Sequence, residues 1–140
     1  MGREHVDGIT RMRQAAEVLL LSDGARALAI IEAVTPALVF KGAALAELLW
    51  SPGERNMTDV DLLVDAARLV DARRSLTDAG WTLVTTPGRP VSSRYFRAFS
   101  VKSPRGSLVD VHAHVAQRLR WPVPTHELFA RAVPFRLGGR

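Results

Sequence analysis

The chain has 140 residues and a formal net charge of +5 at pH 7, with 47% hydrophobic and 24% charged residues. This length suits one domain with its own core, and the composition excludes an intrinsically disordered protein. The sequence contains no cysteine, which excludes a disulfide scaffold, a thiolate zinc site and a cysteine nucleophile.

The sequence also predicts a cytoplasmic protein that does not enter a membrane. Its most apolar stretch, residues 25–40, is interrupted by Arg26, Glu32 and Pro36, so no uninterrupted membrane span is formed. The residues that follow Met1 lack the apolar run of a signal peptide. We therefore expect the chain to fold and act in the cytoplasm.

The first fifty residues predict helices around a single strand. Thr10 begins a helix with apolar residues at helical spacing, and Ser22-Asp23-Gly24 ends it. A second helix is predicted over residues 25–34. The apolar residues 37–40 predict a buried strand, after which the chain turns into a further helix over 43–50.

The rest of the chain alternates strands with helices. A helix is predicted from Asp65, a natural N-cap, to Asp78, and a short one over residues 125–132. The turn residues at 104–106 make the last two strands an antiparallel pair. Strand patterns occupy residues 58–64, 81–85, 94–101 and 107–115. This order predicts the α/β (α+β) class, a small mixed sheet with helices mainly on one face.

Carboxylates recur on one face of two predicted strands. Asp59 and Asp61 lie two residues apart in the strand 58–64, so both side chains point to the same side. Asp110 lies on the strand 107–115, and the three carboxylates meet if these strands are neighbours. Such oxygen ligands suit Mg²⁺ or Mn²⁺. The alternative is that Asp59 caps a turn and Asp61 pairs with an arginine.

Asp110 also shares its strand face with two histidines. His112 and His114 follow it at intervals of two residues, so all three side chains point the same way. Imidazole and carboxylate ligands suit transition metals. A transition-metal site at these residues is therefore the alternative to a magnesium or manganese site.

A phosphate site is predicted where the strand 37–40 enters the next helix. Gly42 lets a ligand approach the backbone closely, and the free amides at a helix start favour an anion. Lys41 adds a positive charge to the same place. The alternative is a plain tight turn with Lys41 in solvent.

Three segments occur in the order of a known signature, namely FKGAAL at residues 40–45, RNMTDVDLLV at 55–64 and VDVH at 109–112. Together they resemble the uncharacterised nucleotidyltransferases of the DNA polymerase beta superfamily. They are more distantly similar to the abortive-infection nucleotidyltransferase toxins. The resemblance implies a polymerase-beta-like nucleotidyltransferase core. It also implies transfer of a nucleoside monophosphate from an NTP to an acceptor hydroxyl, with release of pyrophosphate.

The resemblance assigns roles to particular residues. The catalytic and metal-binding carboxylates, holding Mg²⁺ or Mn²⁺, would be Asp59, Asp61 and Asp110. The nucleotide-binding residues would be Lys41, Gly42, Ala43, Arg55 and His112. Among these, Arg55 would steady the loop or the phosphates, and His112 would orient a ligand or transfer a proton. Ala43 departs from the family pattern, because a serine or glycine usually stands at that position.

We predict one minimal nucleotidyltransferase domain over residues 1–140, with N-terminal helices at 10–35, a core at 36–115 and a short basic segment at 116–140. Relatives commonly continue into a helical region that grips the base, so a homodimer or partner chain is expected to complete the nucleotide pocket. Residues 89–140 carry 10 basic and 2 acidic side chains, which favours an anionic acceptor such as RNA. The alternatives are a non-catalytic nucleotide- or RNA-binding module, and a toxin-like enzyme silenced by a partner.

Overall fold

A computed structural model describes residues 2–51, 53–84, 98–115 and 123–139, with side chains from residue 7 onward. A 3₁₀ turn, Ala66–Arg68, precedes the third α-helix. The helices described are α1 Gly2–Glu32, α2 Lys41–Leu49, α3 Leu69–Asp78 and α4 Thr125–Ala130. The strands described are β1 Ala37–Phe40, β2 Asp59–Val64, β3 Thr82–Val84, β4 Ala98–Lys102 and β5 Leu108–His112. None of the described helices is long and apolar enough to cross a membrane.

The five strands form one mixed sheet in the order β1-β2-β5-β4-β3. The central strand β2 pairs antiparallel with β1 and parallel with β5. On the other side, β5 pairs antiparallel with β4, and β4 pairs antiparallel with β3. The predicted mixed sheet is confirmed, and the two strands that carry the aspartates are neighbours.

The hydrophobic core lies on one face of this sheet. Apolar side chains that alternate along β2 and β5 are wholly buried there, among them Val60, Leu62 and Val109. The same cluster contains Ile31 of α1 and Leu76 of α3, so these two helices cover that face. Because alternate strand residues point to opposite faces, the aspartates of β2 and β5 lie on the other face. The prediction of helices mainly on one face is confirmed.

The N-terminal region differs from the two helices predicted, because a single helix runs through Ser22-Asp23-Gly24. Gly24 packs directly on the sheet, where an added Cβ would lie 2.8 Å from Val60 Cγ2. Asp23 is buried and accepts a hydrogen bond from Ser103 Oγ at 2.6 Å. The predicted break was wrong, since these residues serve packing against the sheet rather than a turn, and tertiary contacts override local propensity.

Most other predicted elements agree with the structure within a residue or two. The side chain of Asp65 caps the following turn by accepting a hydrogen bond from the Ala67 amide at 2.8 Å. The second helix begins at Lys41 rather than residue 43. The predicted antiparallel pair is confirmed in β4 and β5. The parts of the predicted strands that fall on residues 85 and 94–97 lie outside the described residues.

Candidate active site

The parallel pairing of β2 with β5 brings the acidic residues together. Asp61 lies directly opposite Asp110, and Leu63 lies opposite His112. Paired residues of neighbouring strands point to the same face, so Asp59, Asp61, Asp110 and His112 share the face that lies opposite the core. The structure therefore places all three sequence-predicted carboxylates on one side of two adjacent strands.

Asp61 is the centre of the polar contacts on this face. Its Oδ1 accepts hydrogen bonds from Lys41 Nζ and from His112 Nε2, each at 2.8 Å. Only 9% of its side chain is exposed. Burial alone would raise the pKa of Asp61, but the hydrogen bonds from His112 and Lys41 outweigh it and hold the pKa below its usual value. In the described part of the chain, the partners of Asp61 are thus a lysine and a histidine, and not the arginine of the alternative interpretation.

A possible cation site includes Asp110 as well. One ligand atom from each of Asp61, Asp110 and His112 lies within 4.8 Å of the other two. Oδ1 of Asp110 is buried and has no hydrogen-bond partner among the residues that the structure describes, which is rare for a buried polar atom. An oxygen of this kind fits a bound cation, which would satisfy it. His114, considered in the alternative transition-metal site, and Asp59 lie outside this group of three.

The carboxylate of Asp59 lies at the start of β2, beside the other two acids. Burial raises the pKa of Asp59, and the negative charges of Asp61 and Asp110 raise it further. The positive charges of Lys41 and His112 oppose this shift without cancelling it. A divalent cation near these carboxylates would offset their mutual repulsion.

His112 is fixed in its orientation by a neighbouring aromatic ring. Its imidazole makes an edge contact with Phe40, with ring centroids 5.3 Å apart and planes at 82°. Phe40 lies opposite Asp61 on β1, so its ring stands on the same face as Asp61 and His112. The ring contact and the hydrogen bond to Asp61 together hold the imidazole in place.

The start of α2 lies next to these side chains, because Phe40 of β1 is followed directly by the helix. Lys41 adopts a left-handed backbone conformation with φ 56°, which is uncommon for a residue other than glycine. The N-cap residue, Phe40, makes no side-chain hydrogen bond to the helix start. The first amides of α2, including those of Gly42 and Ala43, are therefore available to an anion. The residue with the left-handed conformation at this turn is thus Lys41 and not Gly42.

Arg55 extends this positive region. A Cβ added at Gly42 would lie 3.8 Å from Arg55 Nη2, so the guanidinium lies over the first turn of α2. The same guanidinium packs on the Trp50 ring, 4.9 Å from its centroid. Within the described segments, Arg55 forms no ion pair with a carboxylate. Its charge is thus available to a bound anion.

One family matches nearly the whole chain. The family described as uncharacterised nucleotidyltransferase matches residues 3–140. The chain belongs to this family. No curated protein and no solved structure matches the chain. The resemblance to uncharacterised nucleotidyltransferases is thereby confirmed, while the more distant resemblance to the toxins stays a prediction.

Two contacts in this member of the nucleotidyltransferase family were not predicted from the sequence. The pairing of Lys41 with Asp61 depends on β1 lying beside β2, and no local pattern specifies that neighbour. His112 lies opposite Leu63 on β2, and its ring reaches back to Asp61 on the same face, a contact that depends on β5 lying beside β2. The alternation in VDVH did indicate that His112 and Asp110 share a face.

Proposed function

We propose that this protein transfers a nucleoside monophosphate from an NTP to an acceptor hydroxyl and needs a divalent cation to do so. The observation that carries this proposal is the buried Oδ1 of Asp110, which lies beside Asp61 and His112 and has no hydrogen-bond partner within the described ranges. Membership of a nucleotidyltransferase family supports it independently. The roles of the individual residues are part of the proposal.

The donor set on this face fits a small divalent ion. Asp61 and Asp110 would hold it through carboxylate oxygens, Asp59 would add a third carboxylate, and His112 offers an imidazole nitrogen. Carboxylates suit Mg²⁺ and Mn²⁺, and the nearby imidazole favours Mn²⁺ of the two. When bound, the ion neutralises charge on the phosphates and on the leaving pyrophosphate.

The phosphates would lie at the start of α2. The amides of Gly42 and Ala43 favour an anion there, and Arg55 lies over the same turn. Lys41, whose side chain is 48% exposed, reaches from this turn to Asp61 and is close enough to serve both the phosphate site and the carboxylates. An anion at this turn and a cation at the carboxylates would thus be adjacent.

The reaction proposed is an in-line displacement at the α-phosphorus. The acceptor oxygen forms a bond to this phosphorus while the bond to the oxygen that bridges to the β-phosphate breaks. Pyrophosphate leaves with the electron pair of that bond, and the hydroxyl proton passes to the Asp110 carboxylate and then to water. Lys41 and Arg55 stabilise the negative charge that develops on the phosphates.

For the acceptor we propose an anionic molecule such as RNA. Lys102, Arg131 and Arg136 are exposed on the described surface and belong to the basic second half of the chain. Incorporation of labelled nucleotide should therefore be greater with RNA than without it, and should fall as salt rises. Equal labelling with and without RNA would overturn this choice of acceptor. The predicted homodimer or partner chain stays a prediction.

The test of the proposed function is thermal unfolding with each NTP, with and without Mn²⁺ or Mg²⁺. A ligand at about 100 times its Kd adds about 2.7 kcal/mol of stability, a shift of several degrees in Tm for a domain of this size. We expect one or more NTPs to stabilise the protein only when the metal is present. The double variant Asp59→Asn/Asp61→Asn should lose this response.

The control variant is Asp71→Asn/Asp78→Asn. It also removes two negative charges, but on α3, outside the candidate site. It should keep the full response to NTP and metal. An unchanged response in Asp59→Asn/Asp61→Asn would contradict the proposed site. Metal-dependent NTP binding without transfer of a nucleoside monophosphate to any acceptor, and without release of pyrophosphate, would favour the non-catalytic binding module instead.

A further inference from the structure

A cavity of about 250 Å³ lies between the N-terminal half of α1 and the segment that leads into β2. The carboxylates and the start of α2 do not line it, so it is separate from the site described above. The residues that line this cavity include Ile9, Met12, Ala16, Arg55, Asn56 and Met57.

The two walls of the cavity are fixed to one another. Glu17 of α1, which is buried and also lines the cavity, accepts a hydrogen bond from the Gly53 amide through Oε2. Gly53 has φ 86° and lies so close to Gln14 that an added Cβ would be 2.6 Å from Gln14 Cγ. The segment that precedes β2 is therefore held firmly against α1, and the cavity between them is preformed.

This cavity adjoins the predicted phosphate site. Arg55 and Met57 line it, and both also lie beside Gly42, with Arg55 Nη2 at 3.8 Å and Met57 Sδ at 4.0 Å from an added Cβ. These two side chains therefore connect the cavity to the first turn of α2. A molecule whose anionic end lay at that turn would reach the cavity by passing Arg55.

The lining suits a flat heterocycle. Ile9, Met12, Ala16 and Met57 supply apolar surface, and methionine adapts its shape to a ring. Asn56 offers both a hydrogen-bond donor and an acceptor, which can read the polar edge of a base. Ligand sites typically combine this kind of apolar wall with a few polar groups.

We propose that this cavity holds the nucleobase of the NTP, with Arg55 lying between the base and the triphosphate. The inference rests on the proposed function, because it takes the phosphates to lie at the start of α2. Asn56 then becomes a specificity-determining residue, and α1 supplies a wall for the base.

The test uses a substitution that fills the cavity. Ala16→Trp places a large ring at the cavity wall, whereas Val18→Trp places the same ring on an exposed residue of α1 that does not line the cavity. Binding of the NTP that stabilises the wild type is compared by calorimetry, in the presence of Mn²⁺, with binding of inorganic tripolyphosphate. Tripolyphosphate carries the anionic groups without a base, so it reports the phosphate site alone.

We expect Ala16→Trp to weaken NTP binding by on the order of tenfold to a hundredfold and to leave tripolyphosphate binding unchanged. Val18→Trp should change neither affinity. As a second variant, Asn56→Ala removes only the amide, and it should reduce the difference in affinity between purine and pyrimidine NTPs. Circular dichroism of each variant confirms that it folds.

Wild-type affinity for NTP in Ala16→Trp would overturn the nucleobase site and leave the proposed function standing. Equally weakened binding of NTP and of tripolyphosphate would also overturn the nucleobase site, because the effect would then not be specific to the base. If the wild type binds neither ligand with Mn²⁺, the proposed function fails, and the nucleobase site fails with it.

Discussion

At Lys41, one residue combines an unfavourable backbone conformation with a charged side chain at the candidate site. A left-handed conformation costs a residue with a Cβ about 1–2 kcal/mol, so Lys41 stores strain beside the carboxylates. Its Nζ donates a hydrogen bond to Asp61 Oδ1 at 2.8 Å and lies 5.0 Å from the centroid of the Phe40 ring. These contacts help to hold the unfavourable backbone in place.

Two substitutions at Lys41 separate backbone strain from charge, because both remove the ammonium. Lys41→Gly relieves the strain and Lys41→Ala does not, so the glycine variant should be more stable by about 1 kcal/mol. In an ordinary helical position the order is reversed, because alanine is the better helix former. Urea unfolding of the two variants measures the difference. A more stable alanine variant would contradict the left-handed conformation.

The buried carboxylate of Asp23 predicts how stability depends on pH. Asp23 is 1% exposed, and its Oδ1 accepts a hydrogen bond from Arg105 Nε at 2.9 Å. Burial opposes ionisation, but hydrogen bonds from Ser103, Ser107 and Arg105 keep the pKa of Asp23 below its ordinary value. A lowered pKa stabilises the fold fully above the unfolded value of about 3.9, and this stabilisation is lost as pH falls through the folded pKa.

Asp23→Asn should therefore destabilise the protein most at neutral pH, by about 1–3 kcal/mol. The difference from wild type should shrink between about pH 5 and the folded pKa. Urea unfolding at a series of pH values measures it. Asp71→Asn, which removes the partly exposed pair with Arg68, should cost less than about 0.5 kcal/mol. A pH-independent effect of Asp23→Asn would contradict the role assigned to this carboxylate.

At the scale of elements, α1 shows how packing decides what local sequence does not. Gly24→Ala would improve helix propensity by about 1 kcal/mol. The added Cβ would nevertheless lie 2.8 Å from Val60 Cγ2 and 3.3 Å from Leu137 Cδ2, and such overpacking costs about 1–3 kcal/mol. We expect net destabilisation in thermal or urea unfolding.

Gly8→Ala is the matched control on the same helix, because an added Cβ there meets nothing within 4 Å. It should leave stability unchanged or raise it by up to about 1 kcal/mol. Combining Gly24→Ala with Val60→Ala should lower the cost of the first substitution, since the second removes the methyl groups it meets. Equal effects of Gly8→Ala and Gly24→Ala would show that α1 does not pack on β2 at this point.

The sequence predicted the elements that have strong local patterns. The run TDVDLLV and the alternation in VDVH specified β2 and β5 with the faces of their aspartates, and Asp65 marked a helix start. Strand order and direction arise from long-range contacts, so the parallel pairing that sets Asp61 opposite Asp110 needed the structure. The same holds for Ser22-Asp23-Gly24, whose local turn signal is overridden by the sheet beneath it.

At the scale of the whole molecule, the end of the described chain completes the core. Leu137 is 1% exposed and belongs to the hydrophobic cluster that contains Val60 and Ile31. The next residue, Gly138, donates its amide to Glu47 Oε1 of α2 at 2.8 Å. With φ 60°, Gly138 also lies where an added Cβ would be 3.1 Å from the Leu21 carbonyl oxygen of α1. The segment after α4 thus contacts α1 and α2 together.

Leu137→Ala should therefore destabilise the whole sheet and not only the end of the chain. Removing a fully buried leucine costs about 2–5 kcal/mol, whereas Leu48→Ala, at a leucine that is 68% exposed, should cost well under 1 kcal/mol. Urea unfolding gives the free energies, and amide hydrogen exchange in β2 shows whether the loss extends to the carboxylate-bearing strand. Exchange that quickens only near residue 137 would mean that the segment frays without loosening the sheet. Faster exchange at Asp61 and its neighbours would show that packing beneath the sheet supports the candidate site above it.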